Sequence, residues 1–324
     1  EIIRRAKLSG LVDRSPARVS VWRAARKLNL PIFATKGVEH DDMHRFEYAH
    51  RLQMVLADGK YFRAGVKYRK RVVVTFLDDA SRFALGAVVG TSESSGLFLR
   101  GLWKVVLRWG LIEHFFLDNG SGFIAKDCAI VAARLRTGFI HGTAGYPEGH
   151  GKIERYHQTL SADLLRSFPN NPGIDSDLGA LELRIEHYLK TDYNRRIHES
   201  LSGKTPEERF LGDDLPLRPV VGPDILRQHF LITDRRKVSR DNIIMVKRVP
   251  YEVPRGHAGK RIDVQRHLLD RTVTVMHEGR LVQLAKVDKI LNAVSRRARP
   301  AKALLAPRPV KTAATIAFEQ DHQP

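Results

Sequence analysis

Two carboxylates, Asp118 and Glu154, occupy positions from which they could hold divalent metal ions. Asp118 ends the apolar run His114–Leu117 and is followed by Asn119 and a glycine, a turn that leaves the carboxylate at the edge of a sheet. Glu154 lies 36 residues further on, in the first turn of a predicted amphipathic helix, after the Pro/Gly loop 146–151. Hard cations such as Mg²⁺ prefer oxygen ligands, and two of them roughly 4 Å apart support phosphodiester chemistry. The spacing therefore indicates metal-dependent chemistry on a nucleic acid.

The charge of the chain favours the same class of partner. Its 324 residues carry 55 Lys and Arg against 36 Asp and Glu, a net charge of +19. Neutralised phosphates release counterions, so nucleic acid is favoured over the alternative, an anionic membrane surface. No apolar run approaches the ~20 residues of a membrane span. The single cysteine, Cys128, excludes a disulfide framework and a Cys-based zinc site, and it suits a reducing cytoplasm.

Several residues beside the two carboxylates are candidate contacts to nucleic acid. Each has a plainer alternative: Asn119 could simply form a turn, His150 could be a surface histidine, and Lys152 and Arg155 could be exposed cations next to Glu154. The candidates from this region are Asn119, His150, Lys152 and Arg155.

Residues 41–212 alternate strand and helix patterns, which predicts a central sheet flanked by helices. The stretch Arg71–Leu77 is almost continuously apolar, as expected of a strand buried on both faces. Shortly after this stretch, Asp79 is expected to form a local ion pair with Arg82 and so to fix a turn. The other predicted elements are strands at Phe83–Val89 and His114–Leu117, and helices at Leu97–Trp109, Ala125–Leu135, Glu154–Phe168 and Leu178–Tyr193.

Residues 1–40 are basic and predicted to be helical. Apolar residues recur at helical spacing from Val21 to Leu28, with Arg23, Arg26 and Lys27 on the opposite face. This pattern fits a DNA-binding segment, possibly the remnant of a helix-turn-helix, and it fits a solvated amphipathic helix about equally well.

The last third of the chain changes character twice. Prolines mark residues 213–227 as a linker, and short strand patterns then recur through residues 228–290, with a hairpin turn at Glu278-Gly279. Regular short strands predict a small all-β barrel. Residues 291–324 read as a flexible basic tail.

The order and spacing of several segments resemble one family, the DDE transposase and retroviral integrase superfamily. More narrowly, the chain looks like bacterial insertion-sequence transposases with an integrase core, and residues 228–287 look like the C-terminal barrel of phage Mu-like transposases. The resemblance covers roughly three quarters of the chain. The segments that carry it are Phe76–Arg82, Leu117–Phe123, Tyr146–Arg155, Tyr193-Asn194 with His198, and Lys204–Phe210.

The resemblance implies an RNase H-like fold and three catalytic carboxylates that hold two Mg²⁺ or Mn²⁺ ions. Asp118 matches the second carboxylate and Glu154 the third. The first belongs in the first core strand, where an ungapped alignment places Asp58. A shifted alignment instead places Val55 there, and the enzyme would then lack one ligand. We favour Asp58.

The implied function is that of a transposase or integrase, which cleaves DNA at element ends and transfers the 3′-hydroxyl into target DNA. The expected partners are double-stranded DNA, at element ends and target, and further copies of the chain in a multimer on DNA. An ATPase partner is possible but not identifiable. The expected location is the bacterial cytoplasm, at the nucleoid. Two alternatives stay open: an inactive DNA-binding derivative, and an RNase H-like nuclease that cuts without joining.

Overall fold

The computed structural model describes residues 10, 17–28, 47–117, 125–141, 151–220 and 222–290. The chain divides into two compact units, Glu1–Leu226 and Arg227–Pro324. Asp118, Asn119 and His150 lie outside the described residues, as do the predicted tail 291–324 and most of residues 1–40. Within the described ranges, none of the helices has the length and apolarity needed to cross a membrane.

A mixed five-stranded sheet forms the centre of the first unit. Its order is β3-β2-β1-β4-β5, with β2 antiparallel to both of its neighbours, β1 and β3, and with β1, β4 and β5 parallel. This sheet with its helices confirms the expected RNase H-like core. The strands are β1 (Met54–Ala64), β2 (Arg69–Asp78), β3 (Ala84–Gly90), β4 (His114–Leu117) and β5 (Gly138–His141).

The helices lie close to the predicted positions, with two shorter than expected. The helix predicted to reach Phe168 ends at Asp163, and a separate 3₁₀ turn follows at Leu165–Ser167. The helix predicted to reach Tyr193 ends at Thr191. The helices are α1 (Arg18–Lys27), α2 (Ser95–Trp109), α3 (Lys126–Leu135), α4 (Gly151–Asp163), α5 (Leu178–Thr191), α6 (Pro206–Leu211) and α7 (Pro223–Gln228).

Both faces of the sheet are covered, so β2 is buried from Arg71 to Asp78, as its apolar sequence predicts. On one face the aromatic ring of Phe98 in α2 stacks on Phe76. At Gly101 a Cβ atom would lie 2.3 Å from the Phe76 ring, so glycine lets α2 approach β2 closely. On the other face α4 and α5 share a continuous apolar core with the sheet.

The segment after α5, which carries part of the family resemblance, is tied to this core. The Asn194 side chain accepts a hydrogen bond from Ala84 N at 2.8 Å and donates to Ala84 O at 3.1 Å. Thr205 and Glu208 form a capping box at the start of α6. The ring of Phe210 at the end of this segment stacks on Phe83 at 4.5 Å. These contacts hold the start of β3 and the segment in one arrangement.

The second unit is all-β, but the closed barrel that we expected is wrong. It contains a four-stranded antiparallel sheet, ordered β11-β10-β9-β6, and a separate hairpin of β7 and β8. The Glu278-Gly279 turn between β10 and β11 is confirmed, with positive φ at both residues. The strands are β6 (Leu231–Lys237), β7 (Ile243–Val246), β8 (Val249–Glu252), β9 (Arg261–His267), β10 (Val273–His277) and β11 (Arg280–Gln283).

The turn between β6 and β7 is closed by hydrogen bonds between Ser239 and Ile243. The backbone N of Ser239 donates to Ile243 O at 2.9 Å, and the Ser239 hydroxyl accepts from Ile243 N at 2.9 Å. The first backbone groups of β7 are therefore used within the turn, and no ladder joins β6 to β7 in the described strands. An isolated bridge between Tyr251 and Lys286 links the hairpin to the chain after β11.

Candidate active site

Asp58 lies in the middle of β1, on the face of the sheet that α4 covers. Side chains alternate along a strand, and Met54, Leu56 and Phe62 pack in the same core as Ile153 of α4. Asp58 shares their parity, and its side chain retains 26% exposure. Its Oδ1 accepts a hydrogen bond from Gly59 N at 2.7 Å.

Val55, the alternative first position, has the opposite parity and belongs to the other face of the sheet. It is fully buried. A carboxylate at that position would be enclosed in apolar packing, away from α4. The geometry of β1 therefore favours Asp58 as the residue that can act beside α4.

Glu154 lies in the first turn of α4 and is exposed. Its position at the helix N-terminus suits a negative charge, because the helix dipole is positive there. One turn further along, His157 lies on the same side of the helix, since residues three apart are neighbours on a helix surface.

His157 links α4 to the two central strands. Its Nδ1 lies 3.4 Å from Asp58 Oδ2, and its Nε2 lies 2.9 Å from the hydroxyl of Thr75. Asp58 and Thr75 are direct partners in the β1–β2 ladder. A neutral imidazole with its proton on Nδ1 satisfies both contacts, because Nδ1–H then donates to the carboxylate and Nε2 accepts from the hydroxyl. His157 is buried, so it fixes the orientation of Asp58.

Sequence reasoning did not single out His157. Its place three residues after Glu154 was a usable signal, because it predicts a side chain on the same flank of the helix. What the sequence could not show is the contact with Asp58 and Thr75, which are far away along the chain.

The remaining carboxylate, Asp118, lies just beyond the described part of β4. The last described residue, Leu117, pairs in parallel with Ala57, the residue before Asp58. The expected roles of Asp118, Asn119 and His150 thus fall outside the described residues.

Two buried acids after β2 tie the turn there to its surroundings. Asp79 Oδ1 lies 2.5 Å from Lys152 Nζ at the start of α4, and Arg82 pairs with Glu47. The local pair of Asp79 with Arg82 that we expected is wrong, because each residue takes a distant partner. Burial is the largest effect on the Lys152 ammonium and lowers its pKa, although the Asp79 hydrogen bond and charge act against it.

Asp78, the neighbouring acid, is fully buried. It accepts hydrogen bonds from Leu52 N at 2.8 Å and from the backbone and hydroxyl of Ser81 at 2.9 and 2.5 Å. Burial raises the pKa of Asp78 to about 6, and these three donors only partly offset it. Asp78 therefore holds the turn and does not face the Asp58 side of the sheet.

The other predicted nucleic-acid contacts are exposed cations. Arg155 is exposed on α4 next to Glu154, whereas Lys152 is engaged with Asp79. Arg23, Arg26 and Lys27 are exposed on α1.

A second group of ionisable residues lies at the edge of the first unit. One ligand atom each from His50, Asp213 and Asp214 lie within 4.8 Å of one another. Asp213 already accepts hydrogen bonds from Arg209 at 3.0 Å and from Arg51 N at 3.2 Å. The Arg209 guanidinium balances the charge of Asp213, and the two hydrogen bonds tie the chain after α6 to α6 and to the segment before β1.

Comparison with known proteins shows similarity to a bacterial transposase. The transposase for transposon Tn552 of Staphylococcus aureus is 31% identical over 149 residues, which is 41% of this chain and 31% of that protein. The chain thus spans about a third of the length of this relative.

Over these 149 residues the chain is similar to a transposase, in line with its resemblance to the DDE transposase and retroviral integrase superfamily.

Of the three carboxylates that the resemblance implies, Asp58 lies on the face of the sheet that α4 covers, and Glu154 lies on α4 itself. No family model matches the chain.

Solved structures of integrases share partial likeness with the chain. A simian T-cell lymphotropic virus intasome in complex with a PP2A regulatory subunit matches with a TM-score of 0.46 at 13% identity, over 89% of this chain and 99% of that one. The catalytic core of BIV integrase matches with a TM-score of 0.39 at 19% identity, over 49% and 94%. The HTLV-2 integrase core in complex with magnesium matches with a TM-score of 0.38 at 19% identity, over 52% and 99%.

Proposed function

We propose that this chain is a DDE-type transposase that cleaves DNA at element ends and joins the freed 3′-hydroxyl to target DNA. One observation carries the proposal: the Asp58 carboxylate, held by His157, faces the helix that bears Glu154. His157, which contacts Asp58, lies on the same helix as Glu154 and one turn away from it. This arrangement suits metal-assisted phosphoryl transfer.

The third carboxylate that we propose is Asp118. It is the next residue after Leu117, and Leu117 pairs with Ala57 beside Asp58. Consecutive Cα atoms are about 3.8 Å apart, so chain connectivity keeps Asp118 close to the end of β4. This supports a site made of Asp58, Asp118 and Glu154.

The donor set fits Mg²⁺ or Mn²⁺, because carboxylate oxygens are the ligands that these hard cations prefer. Asp58 is partly open to solvent and Glu154 is exposed, so both can accept an ion that keeps some of its water. Two such ions, when bound, would polarise the phosphodiester and activate the attacking oxygen. His157 keeps the Asp58 carboxylate oriented, which avoids reorganisation during the reaction.

The two reactions are both displacements at phosphorus. In the first, water forms a bond to the phosphorus at the element end, and the bond to the element's 3′-oxygen breaks. In the second, that 3′-hydroxyl forms a bond to a target phosphorus, and the target's own 3′-oxygen leaves. The attacking oxygen loses its proton to solvent and the leaving oxygen gains one, so no covalent bond to the protein is needed.

The proposed partners follow from the same chemistry. The chain would bind double-stranded DNA at element ends and target, with a net charge of +19 favouring the phosphate backbone. Joining two ends to one target requires two active sites, so we propose that it works as a multimer on DNA.

The test is a product assay with purified protein, Mg²⁺ and a plasmid that carries the coding region with its native flanking DNA. We expect nicked and joined products from the wild type, and a loss of roughly 10³-fold or more in Asp58→Asn and Glu154→Gln. Asp224→Asn is the matched control, because Asp224 is an exposed acid in the first turn of another helix.

The products separate the proposal from its rivals. Hydrolysis without any joined product would identify a nuclease, and DNA binding without any product would identify an inactive derivative. Full activity in Asp58→Asn would overturn the assignment of the first carboxylate.

A further inference from the structure

A cleft of about 870 Å³ runs along α4 on the side away from Asp58. Neither Glu154 nor His157 lines it, so the cleft is separate from the proposed catalytic carboxylates. The opposite wall comes from residues 193–200. The α4 wall is one helical face, made by Lys152, Arg155, Tyr156 and Thr159.

Two buried hydrogen-bond donors in the wall of this cleft lack an acceptor. Nη2 of Arg82 donates to the Glu47 carboxylate at 2.5 Å, but its Nη1 is buried and has no partner among the described residues. The hydroxyl of Tyr156 is likewise buried without a partner in the described part of the chain. A phenol hydroxyl carries an O–H donor, so this group has an unused donor. Buried hydrogen-bond donors in proteins almost always have an acceptor. Two donors in the wall of one cleft, both without an acceptor, therefore indicate that an acceptor from a ligand is missing.

The lining of the cleft carries four cations, Arg82, Lys152, Arg155 and Arg196, against two acids, Glu47 and Glu199. Lys152 and Arg196 are paired with Asp79 and Asp163. Arg155 is exposed and forms no ion pair with any described residue.

His198 in the opposite wall reports the same positive field. Burial lowers its pKa most, and the charges of Arg82 and Arg155 lower it further, whereas the charge of Glu199 acts against them. Its Nδ1 accepts from Ser200 N at 3.3 Å, so a neutral ring carries its proton on Nε2 and offers another donor.

We propose that this cleft binds a backbone phosphate of DNA through Arg155, the free Nη1 of Arg82 and the Tyr156 hydroxyl. The inference rests on the proposed function, since it takes DNA as the ligand. A phosphodiester carries one negative charge and two unesterified oxygens, which match one free cation and two orphan donors. The N-terminus of α4 at Gly151 also lines the cleft and adds positive potential.

The size of the cleft favours DNA over a free ion. Its volume far exceeds the roughly 30 Å³ that a water molecule occupies in the liquid, so a ligand that continues beyond the phosphate fits it. Binding there would place DNA on one side of α4 while the carboxylates act on the other. The contact would therefore hold α4, and with it Glu154, against the DNA.

The experiment is a double-mutant cycle on DNA binding, measured by fluorescence anisotropy in EDTA, where no chemistry occurs. Tyr156→Phe removes only the hydroxyl and Arg155→Gln removes one exposed charge. We expect each change to weaken binding about threefold to tenfold. Arg155→Gln should also reduce the slope of log K against log salt by about 0.9, whereas Tyr156→Phe should leave the slope unchanged.

The decisive quantity is the coupling between the two changes. If both groups bind one phosphate, the double variant should weaken binding at least threefold less than the product of the single effects. Arg166→Gln, an exposed arginine outside the cleft, is the control and should combine additively with Tyr156→Phe. Thermal unfolding of each variant checks that the fold is retained.

Each other outcome overturns the inference in a recognisable way. If the wild type binds DNA but the two substitutions have additive effects or none, the phosphate site is wrong and the proposed function still stands. If the wild type does not bind DNA at all, both are wrong. Inorganic phosphate that stabilises the wild type but not Tyr156→Phe, with DNA affinity unchanged, would identify a free-anion site. Altered self-association in sedimentation, again with DNA affinity unchanged, would identify an acidic protein surface as the occupant.

Discussion

His157 Nδ1 lies 3.4 Å from Asp58 Oδ2, and this contact joins the helix that carries Glu154 to the central strand of the sheet. The other ring nitrogen is held by Thr75 at 2.9 Å. Because both nitrogens of a buried ring are engaged, the Asp58 carboxylate has a fixed neighbour on the side of α4. The relationship leads to several measurable consequences.

Replacing His157 with glutamine should impair metal-dependent activity without abolishing DNA binding. The change removes the group that orients Asp58, and losses of 10- to 100-fold in metal affinity or activity are typical for such partners. We expect the Mg²⁺ concentration for half-maximal joining to rise by about that factor. An unchanged Mg²⁺ dependence would show that His157 is only a packing residue. Thr75→Val should shift the Mg²⁺ dependence in the same direction by a smaller factor.

Substitutions at the two candidate positions of β1, Asp58 and Val55, should differ in their effect on the free energy of unfolding. Asp58→Asn should change the free energy of unfolding by about 1 kcal/mol or less, because the side chain is partly exposed. Val55→Asn should cost about 3 kcal/mol or more, because Val55 is fully buried and the amide would lack partners. Urea unfolding of both variants measures the difference. Equal stability of the two would remove the argument from strand parity.

Lys152 is expected to matter for stability. Lys152→Met leaves the fully buried Asp79 carboxylate without its cation, which costs about 3 to 5 kcal/mol when a buried pair is broken. Adding Asp79→Asn should recover part of the loss, since the buried charge is then gone. Unfolding free energies of the single and double variants test this. A loss below about 1 kcal/mol would mean that Lys152 is available to DNA instead.

Asp78 should make the stability of the first unit depend on pH. Its folded pKa is raised to about 6 from the usual 3.8, so its contribution is fully present below pH 3.8 and is lost as pH rises through 6. The total is about 3 kcal/mol, from about two pKa units at 1.36 kcal/mol each. Carbon-13 NMR titration of the Asp78 carboxyl group measures the folded pKa directly. A midpoint near 4 would contradict this account.

Much of the core was predictable because its elements have strong local patterns. β4 begins and ends at the predicted residues, and the apolar run Arg71–Leu77 is a buried strand. Asp118 and Glu154 stood out through local chemistry, an acid after a strand and an acid at a helix start.

What escaped prediction depends on long-range partners. Nothing local in the sequence marks Asp79 as the partner of Lys152, 73 residues away, so a neighbour such as Arg82 was the natural expectation. The prediction of a closed barrel was wrong for a related reason. The sequence pattern predicted the strands themselves. Which strands pair depends on backbone contacts that the pattern does not show, such as the hydrogen bonds of Ser239 with Ile243.

The most direct test of the central claim is a crystal structure of the protein soaked in Mn²⁺, with anomalous scattering used to locate the ion. We expect a manganese peak bonded to the carboxylates of Asp58 and Glu154, with His157 still against Asp58. A peak at the His50, Asp213 and Asp214 group, with none at Asp58, would contradict the proposed active site.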